Sequence, residues 1–186
     1  KGYDRPFDCL EVADPRTGEH FLWVTEYGAN RLLKANLRGE RLAEFGVSGR
    51  GPGAFLGPQY LAADAGGYLY VTDWGNARVA KYDLDGNFIL SFKGPLSGPT
   101  GIAAREGEVF VADRGRATVL RFDSSGNLLR EYRGLSSPEG IAFRDPGTLL
   151  VADANRLLSL DIENETWQTL ADLSGQAGRI THLSMT

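Results

Sequence analysis

Four carboxylates recur at one position of a repeating pattern, Glu26, Asp73, Asp113 and Asp153, each closing an apolar run. A ring of acids can do general acid–base work, provided that unequal surroundings push their pKa values apart. Arg31, Arg78 and Arg156 follow within three to five residues, while Thr118 breaks the pattern in the third copy. Carboxylate–arginine pairs at fixed spacing also tie neighbouring strands together, and the guanidinium can bind both oxygens at once. That structural role is the expected one, and no residue is assigned to catalysis. The stretch Asp83-Leu84-Asp85-Gly86-Asn87 has the spacing that opens a calcium loop. Its equivalents are Asn36-Leu37-Arg38-Gly39-Glu40, Asp123-Ser124-Ser125-Gly126-Asn127 and Asp161-Ile162-Glu163-Asn164-Glu165. Arginine and serine at a required ligand position rule out a shared calcium function. Tight turns are expected instead, with Asn164 taking the left-handed place of Gly39, Gly86 and Gly126.

Better binding candidates lie where the copies differ. Asp8, Gln59, Thr100, Glu139 and Thr181 are aligned at the start of successive short strands. Loops at the same end carry Tyr27 and Asn30, Trp74 and Asn76, Arg114 and Arg116, and Asn155. Variable side chains on loops held by a repeated framework are where binding residues usually sit. Trp74 stands out, because a large aromatic in a polar turn needs a ligand, a partner or a neighbouring element to cover it. The candidate ligand-binding face is therefore Asp8, Tyr27, Gln59, Trp74, Asn76, Thr100, Arg114, Arg116 and Glu139. Most acids at the other end, such as Asp14, Asp64 and Asp145, read as solvated hairpin tips.

The elements that position these residues follow from the repeat. Phe21 to Glu26, Tyr68 to Asp73, Val109 to Asp113 and Leu149 to Asp153 are one motif written four times. Val24, Val71, Val111 and Val151 mark it at spacings of 47, 40 and 40 residues. A second and a third apolar stretch follow each copy, and a strand of small residues precedes it, as in Gly101-Ile102-Ala103-Ala104. Four short strands per unit of about 40 residues are the signature of a propeller blade. The slim first strand belongs at the crowded axis. Arg31 to Val47 alone could pass for an amphipathic helix, but Gly39 falls where Gly86 and Gly126 form turns. The predicted fold is all-β.

From Gly57 to Phe88 the chain reads Gly57-Pro58, Leu61-Ala62-Ala63-Asp64, Leu69-Tyr70-Val71-Thr72-Asp73, Asn76, Arg78-Val79 and Asp83 to Phe88. This pattern resembles an NHL repeat, and the resemblance covers nearly the whole chain. It implies a β-propeller, usually of six blades in that family. The expected blades are 7–46, 58–94, 99–134 and 138–173, with 178–186 as the inner strand of a fifth. All 186 residues then form a single propeller segment, about two blades short of a ring of six. Such an arc is expected to be a fragment of a longer chain, or to pair with its remaining blades or another copy.

Composition narrows the function classes. One cysteine rules out an internal disulfide framework and a cysteine-rich zinc site. Cys9, on an inner strand, is expected to be a small core residue. His20 and His182 leave little imidazole for metal or base chemistry. A net charge of −4 argues against a nucleic-acid partner, and no run is long enough to span a membrane as a helix. Lys1 starts the chain without an apolar leader, which leaves the compartment open. The favoured function is a noncatalytic module presenting its variable face to a protein, peptide or polysaccharide, with no cofactor. The alternative, implied by six-bladed relatives, is a metal-dependent lactonase- or lyase-like enzyme. In it Asp8, Gln59 and Glu139 hold a hard cation on the axis. RNA binding, implied by other NHL domains, ranks third for want of a strongly basic face.

Overall fold

Val, Tyr, Phe, Leu and Thr crowd the repeated runs, and such residues suit a pleated, half-buried surface. The computed structural model describes residues 3–92, 94–105, 107–175, 180, 181 and 183. Its strands form four four-stranded antiparallel sheets, each in simple chain order. Blade 1 comprises β1 (Pro6–Ala13), β2 (His20–Glu26), β3 (Arg31–Ala35) and β4 (Arg41–Phe45). Blade 2 comprises β5 (Pro58–Ala63), β6 (Tyr68–Asp73), β7 (Arg78–Asp83) and β8 (Phe88–Ser91). Blade 3 runs through β9 (Pro99–Arg105), β10 (Glu108–Asp113), β11 (Thr118–Asp123) and β12 (Leu128–Tyr132). Blade 4 holds β13 (Pro138–Asp145), β14 (Thr148–Asp153), β15 (Arg156–Asp161) and β16 (Thr166–Asp172). The expected fifth-blade strand at 178–186 falls largely outside the described residues. Of that stretch, Ile180, Thr181 and Leu183 are described and belong to no strand. Among the described residues no helix is long and apolar enough to cross a membrane.

The first strands of the blades are the inner ones: β1 meets β5, β5 meets β9, and β9 meets β13. Apolar side chains fill the gaps between blades rather than a central core. Trp23, Leu32 and Phe55 pack with Leu69 and Tyr82 between blades 1 and 2. Tyr70, Phe92 and Phe122 do the same between blades 2 and 3, and Phe110, Leu149 and Leu160 between 3 and 4. Each large side chain buried this way contributes roughly 1.5–3 kcal/mol. Aromatics at blade ends sit on the turn glycines of the next blade. A Cβ on Gly86 would fall 2.0 Å from the Phe45 ring, and one on Gly126 2.6 Å from the Phe92 ring. Both glycines also have positive φ, so two constraints select the same residue there.

Hydrogen bonds repeat with the blades. Asp83 Oδ1 accepts the N–H groups of Asp85 and Asn87, and Asp123 Oδ1 those of Ser125 and Asn127. These are side-chain-closed turns, which is the role expected for the Asp-x-Asp-Gly stretch. Blade 4 departs from expectation: the left-handed residue is Glu165, with φ 57°, not Asn164. Its turn pairs Asp161 with Thr166 and so is one residue longer, moving the positive-φ position along by one. Between blades, Lys34 Nζ donates to Leu84 O (2.8 Å) and Lys81 Nζ to Ser124 O (3.0 Å). Burial pulls the Lys81 ammonium below its usual pKa, and the Tyr68 ring 3.9 Å away helps hold the charge.

At the acid-rich end Arg16 clamps two blades, bonding Asp14 in blade 1 and Asp85 in blade 2. The Arg16 side chain, then its backbone N–H, holds the Asp14 carboxyl at about 2, against an ordinary 3.8. A depressed carboxylate stabilises the fold fully above its unfolded value and loses that contribution on protonation. Thermal stability should therefore drop as pH falls from about 4 to about 2. Arg16→Ala should flatten that acid limb in melts recorded across the window, and an unchanged limb would show that the clamp contributes nothing.

Candidate functional site: an axial cleft

The inner strands share an irregular start that decides what faces the axis. Each pairs its leading proline with the recurrent acid: Pro6 with Glu26, Pro58 with Asp73, Pro99 with Asp113 and Pro138 with Asp153. A register shift follows within three residues in all four, before Cys9, Leu61, Ile102 and Ile141 resume the ladder. Bulges of this kind re-aim side chains at the rims of barrels and beside sites. The pairing also corrects the sequence alignment by one residue in blade 1. Phe7, not Asp8, is equivalent to Gln59, Thr100 and Glu139, and Asp8 is equivalent to Tyr60. The hydrogen bonds agree, since Asp8 N–H donates to Thr25 Oγ1 as Tyr60 N–H does to Thr72 Oγ1.

The four strand starts surround a cleft of about 870 Å³. Of the expected residues, Asp8, Tyr27, Gln59, Trp74, Thr100, Arg114 and Glu139 line it. Thr181 reaches its edge, where its carbonyl accepts from Tyr60 Oη at 2.7 Å. Burial, with Glu139 and Asp8 nearby, pushes the Tyr60 hydroxyl up to about 12, so it stays protonated as a donor. Phe7 and Tyr60 meet edge-to-face at 5.1 Å, and Tyr27 lies 6.3 Å from Phe7. Together with Trp74 they give the cleft an aromatic wall. Trp74 opens the single-turn 3-10 segment Trp74–Asn76 and keeps 46% of its surface exposed; Phe7 keeps 45%. Cys9 also lines the cleft and is exposed, which corrects its expected place in the core. Partial burial, and then Asp8, raises its thiol pKa and so lowers its reactivity.

Most of the charged and hydroxyl groups of the cleft are already partnered. Arg114 Nη1 lies 2.7 Å from Oε1 of Glu139, whose residue is only 8% exposed. Asp8 Oδ2 accepts the N–H of Leu61 across the blade gap at 2.9 Å, and Oδ1 that of Cys9. Thr100 Oγ1 donates within hydrogen-bond distance of both Ala112 O and Pro138 O. The main-chain carbonyl of Gln59 accepts from Thr25 Oγ1 at 2.6 Å. Two expected residues lie elsewhere. Asn76 Nδ2 donates to Asp73 Oδ2 (2.6 Å) and Gly49 O (2.9 Å), and Arg116 binds Glu131 at 3.0 Å. Asn30 serves the linker in the same way, accepting Gly57 N–H at 2.7 Å, and Asn155 O accepts the N–H of Leu173.

The recurrent acids do more than pair with arginine. Arg31 binds Glu26 at 2.5 Å, Arg78 binds Asp73 at 2.9 Å, and Arg156 binds Asp153. Each carboxylate also accepts backbone N–H groups from the segment entering its blade: Asp4 on Glu26, Leu56 on Asp73, Ser97 and Gly98 on Asp113, and Ser136 and Ser137 on Asp153. Long-range capping of this kind leaves no mark on local sequence spacing. Among the described residues no three His, Cys, Asp or Glu side chains gather in a metal-binding group.

Solved structures of other proteins share this fold. An inactive variant of virginiamycin B lyase from Staphylococcus aureus, crystallised with quinupristin, is 20% identical with a TM-score of 0.71. The match covers 88% of this chain and 54% of the lyase. The chain is a segment of a β-propeller. A structure of the nidogen–laminin complex matches at 18% identity and TM-score 0.70, over 87% of this chain and 62% of the other. Hydrazine synthase from Kuenenia stuttgartiensis matches at 16% and 0.74, over 91% and 50%. The chain thus spans about half the length of the lyase it matches. No family model matches it. At these identities the likeness fixes the fold and leaves the activity to the cleft.

Proposed function

We propose that the four blades are NHL-type repeats and that the chain is a noncatalytic binding module. Its axial cleft takes a segment of a protein, peptide or polysaccharide. The observation that carries this reading is the aromatic wall of Phe7, Tyr27, Tyr60 and Trp74, of which Phe7 and Trp74 are exposed, beside the Arg114–Glu139 pair. Flat aromatic faces with a charged pair at one side suit stacking on a sugar ring or a peptide side chain, oriented by one or two hydrogen bonds. The enzyme reading needs Asp8 and Glu139 as free metal ligands or bases. At least one oxygen of each is instead engaged, Asp8 Oδ2 by Leu61 N–H and Glu139 Oε1 by Arg114. Binding of laminin by nidogen supports a partner-binding role for a related fold, and the lyase supports the alternative.

A panel of oligosaccharides and unstructured peptides, read by calorimetry, tests the reading. Trp74→Ala should weaken the best ligand by about 30-fold, the loss of a central aromatic anchor, while moving the melting temperature little. Unchanged affinity would sink the proposal for this cleft.

A further inference from the structure

A second cleft, of about 530 Å³, lies at blade 3 between the β10–β11 loop and the end of β12. It marks a place where one arginine of the repeat is missing. Register sets Arg31 opposite Glu26, Arg78 opposite Asp73 and Arg156 opposite Asp153, but Thr118 opposite Asp113. The outer strands add a second equivalence. Glu44 pairs with Leu33 in blade 1, and Glu131 pairs with the corresponding Leu120 in blade 3. In blade 1 the Arg31 guanidinium bridges the two acids, meeting Glu26 and Glu44 at 2.5 Å each. Blade 3 keeps both acids, as Asp113 and Glu131, but among the described residues no one guanidinium bridges them: Arg116 and Arg133 reach Glu131 alone.

The consequences are visible in the surrounding groups. Asp113 is fully buried and accepts the backbone N–H groups of Ser97, Gly98 and Arg116, with no cation reaching it among the described residues. Thr118 lines the cleft at 3% exposure, and its buried Oγ1 has no hydrogen-bond partner. An unmet polar atom at that depth is costly and is relieved when a ligand supplies the partner. Arg116 and Arg133 stand at the rim, but both spend their charge on Glu131. We propose that this cleft is a socket for a guanidinium group, which takes between Asp113 and Glu131 the place that Arg31 holds between Glu26 and Glu44. The planar, multi-donor guanidinium fits two carboxylates and a hydroxyl better than an ammonium does. The socket is separate from the axial cleft, and its fate does not depend on what binds there.

Amide chemical shifts of the full chain, titrated with N-acetyl-L-arginine amide, test the socket. Saturable shifts are expected at Ser97, Gly98 and Gly115, and the citrulline analogue, which keeps the shape without the charge, should bind at least tenfold more weakly. The blocked tripeptide Gly-Arg-Gly separates the sources. Tenfold tighter binding assigns the socket to an arginine of a polypeptide partner, and equal binding to a small guanidino compound. Thr118→Arg should refill the gap from within, abolish the shifts and raise the melting temperature by about 2–4 °C. Glu131→Gln, whose outcome does not rest on how the first variant packs, should weaken arginine at least tenfold. Equal binding of citrulline, binding of phosphate in preference to arginine, or full binding by either variant would overturn the proposal.

Discussion

Asp73→Ala is expected to cost about 3–5 kcal/mol of stability in urea unfolding, the range for removing one partner of a buried ion pair. The Asp73 carboxylate is fully buried and accepts from Leu56 N–H (2.8 Å), Asn76 Nδ2 (2.6 Å) and Arg78 Nε (2.9 Å). Burial pushes its pKa up, and these donors pull against that shift. Its loss leaves the Arg78 guanidinium without a counter-charge in a site only 14% exposed. Arg78 also binds the carbonyls of Arg50, Gly51 and Ala54, so the linker between blades 1 and 2 depends on the same residue. That linker delivers Phe55, a fully buried ring 5.7 Å from Tyr82. Asp73→Asn keeps acceptor geometry and should cost less than half as much. A cost below about 1 kcal/mol for alanine would place this pair with ordinary surface bridges.

Gly101→Ala is the second large effect. A Cβ there would stand 2.2 Å from Glu139 O and 2.9 Å from Ile141 N, backbone atoms of the neighbouring inner strand. A flexible side chain could move aside; the start of β13, held by Asp153 through Ser136 and Ser137, cannot. The expected cost is about 3 kcal/mol, at the upper end for overpacking. Because β9 and β13 would separate, Glu139 and Thr100 should shift and cleft binding should weaken with stability. Gly51→Ala is the matched control. Its Cβ would meet nothing within 4 Å, and it should change stability by less than about 0.5 kcal/mol. Equal effects for the two glycines would contradict the close approach of the inner strands.

The blades were legible because the repeat overrides local ambiguity. Arg31 to Val47 has a helical look in isolation, yet forms β3 and β4 around the turn at Gly39, as the other copies require. The cleft was legible in outline, since Gln59, Thr100 and Glu139 share one position and Trp74 and Arg114 one loop level. Phe7 and Tyr60 were missed for a physical reason. Alternation with period two assigns faces only along a regular strand, and all four inner strands carry a shift at the residues that matter. The Pro6, Pro58, Pro99 and Pro138 alignment was the signal that could have placed Phe7 beside Gln59. Asn76 and Arg116 were misplaced because a loop residue can turn toward the axis or back onto its linker. Only the donors and acceptors around it decide which. The empty arginine place in blade 3 was visible as Thr118, but its partner Glu131 becomes evident only once the outer strands are in register.

The most direct measurement is backbone hydrogen exchange on the chain with and without the ligand selected by the Trp74→Ala comparison. Binding at the axis should slow exchange at the strand starts around Phe7 to Cys9, Gln59 to Leu61, Thr100 to Ile102 and Glu139 to Ile141, together with the loops at Tyr27 and Trp74. Protection confined to the hairpin tips around Asp14, Asp85 and Asp145, with the strand starts unchanged, would put the ligand on the opposite face and contradict an axial binding site.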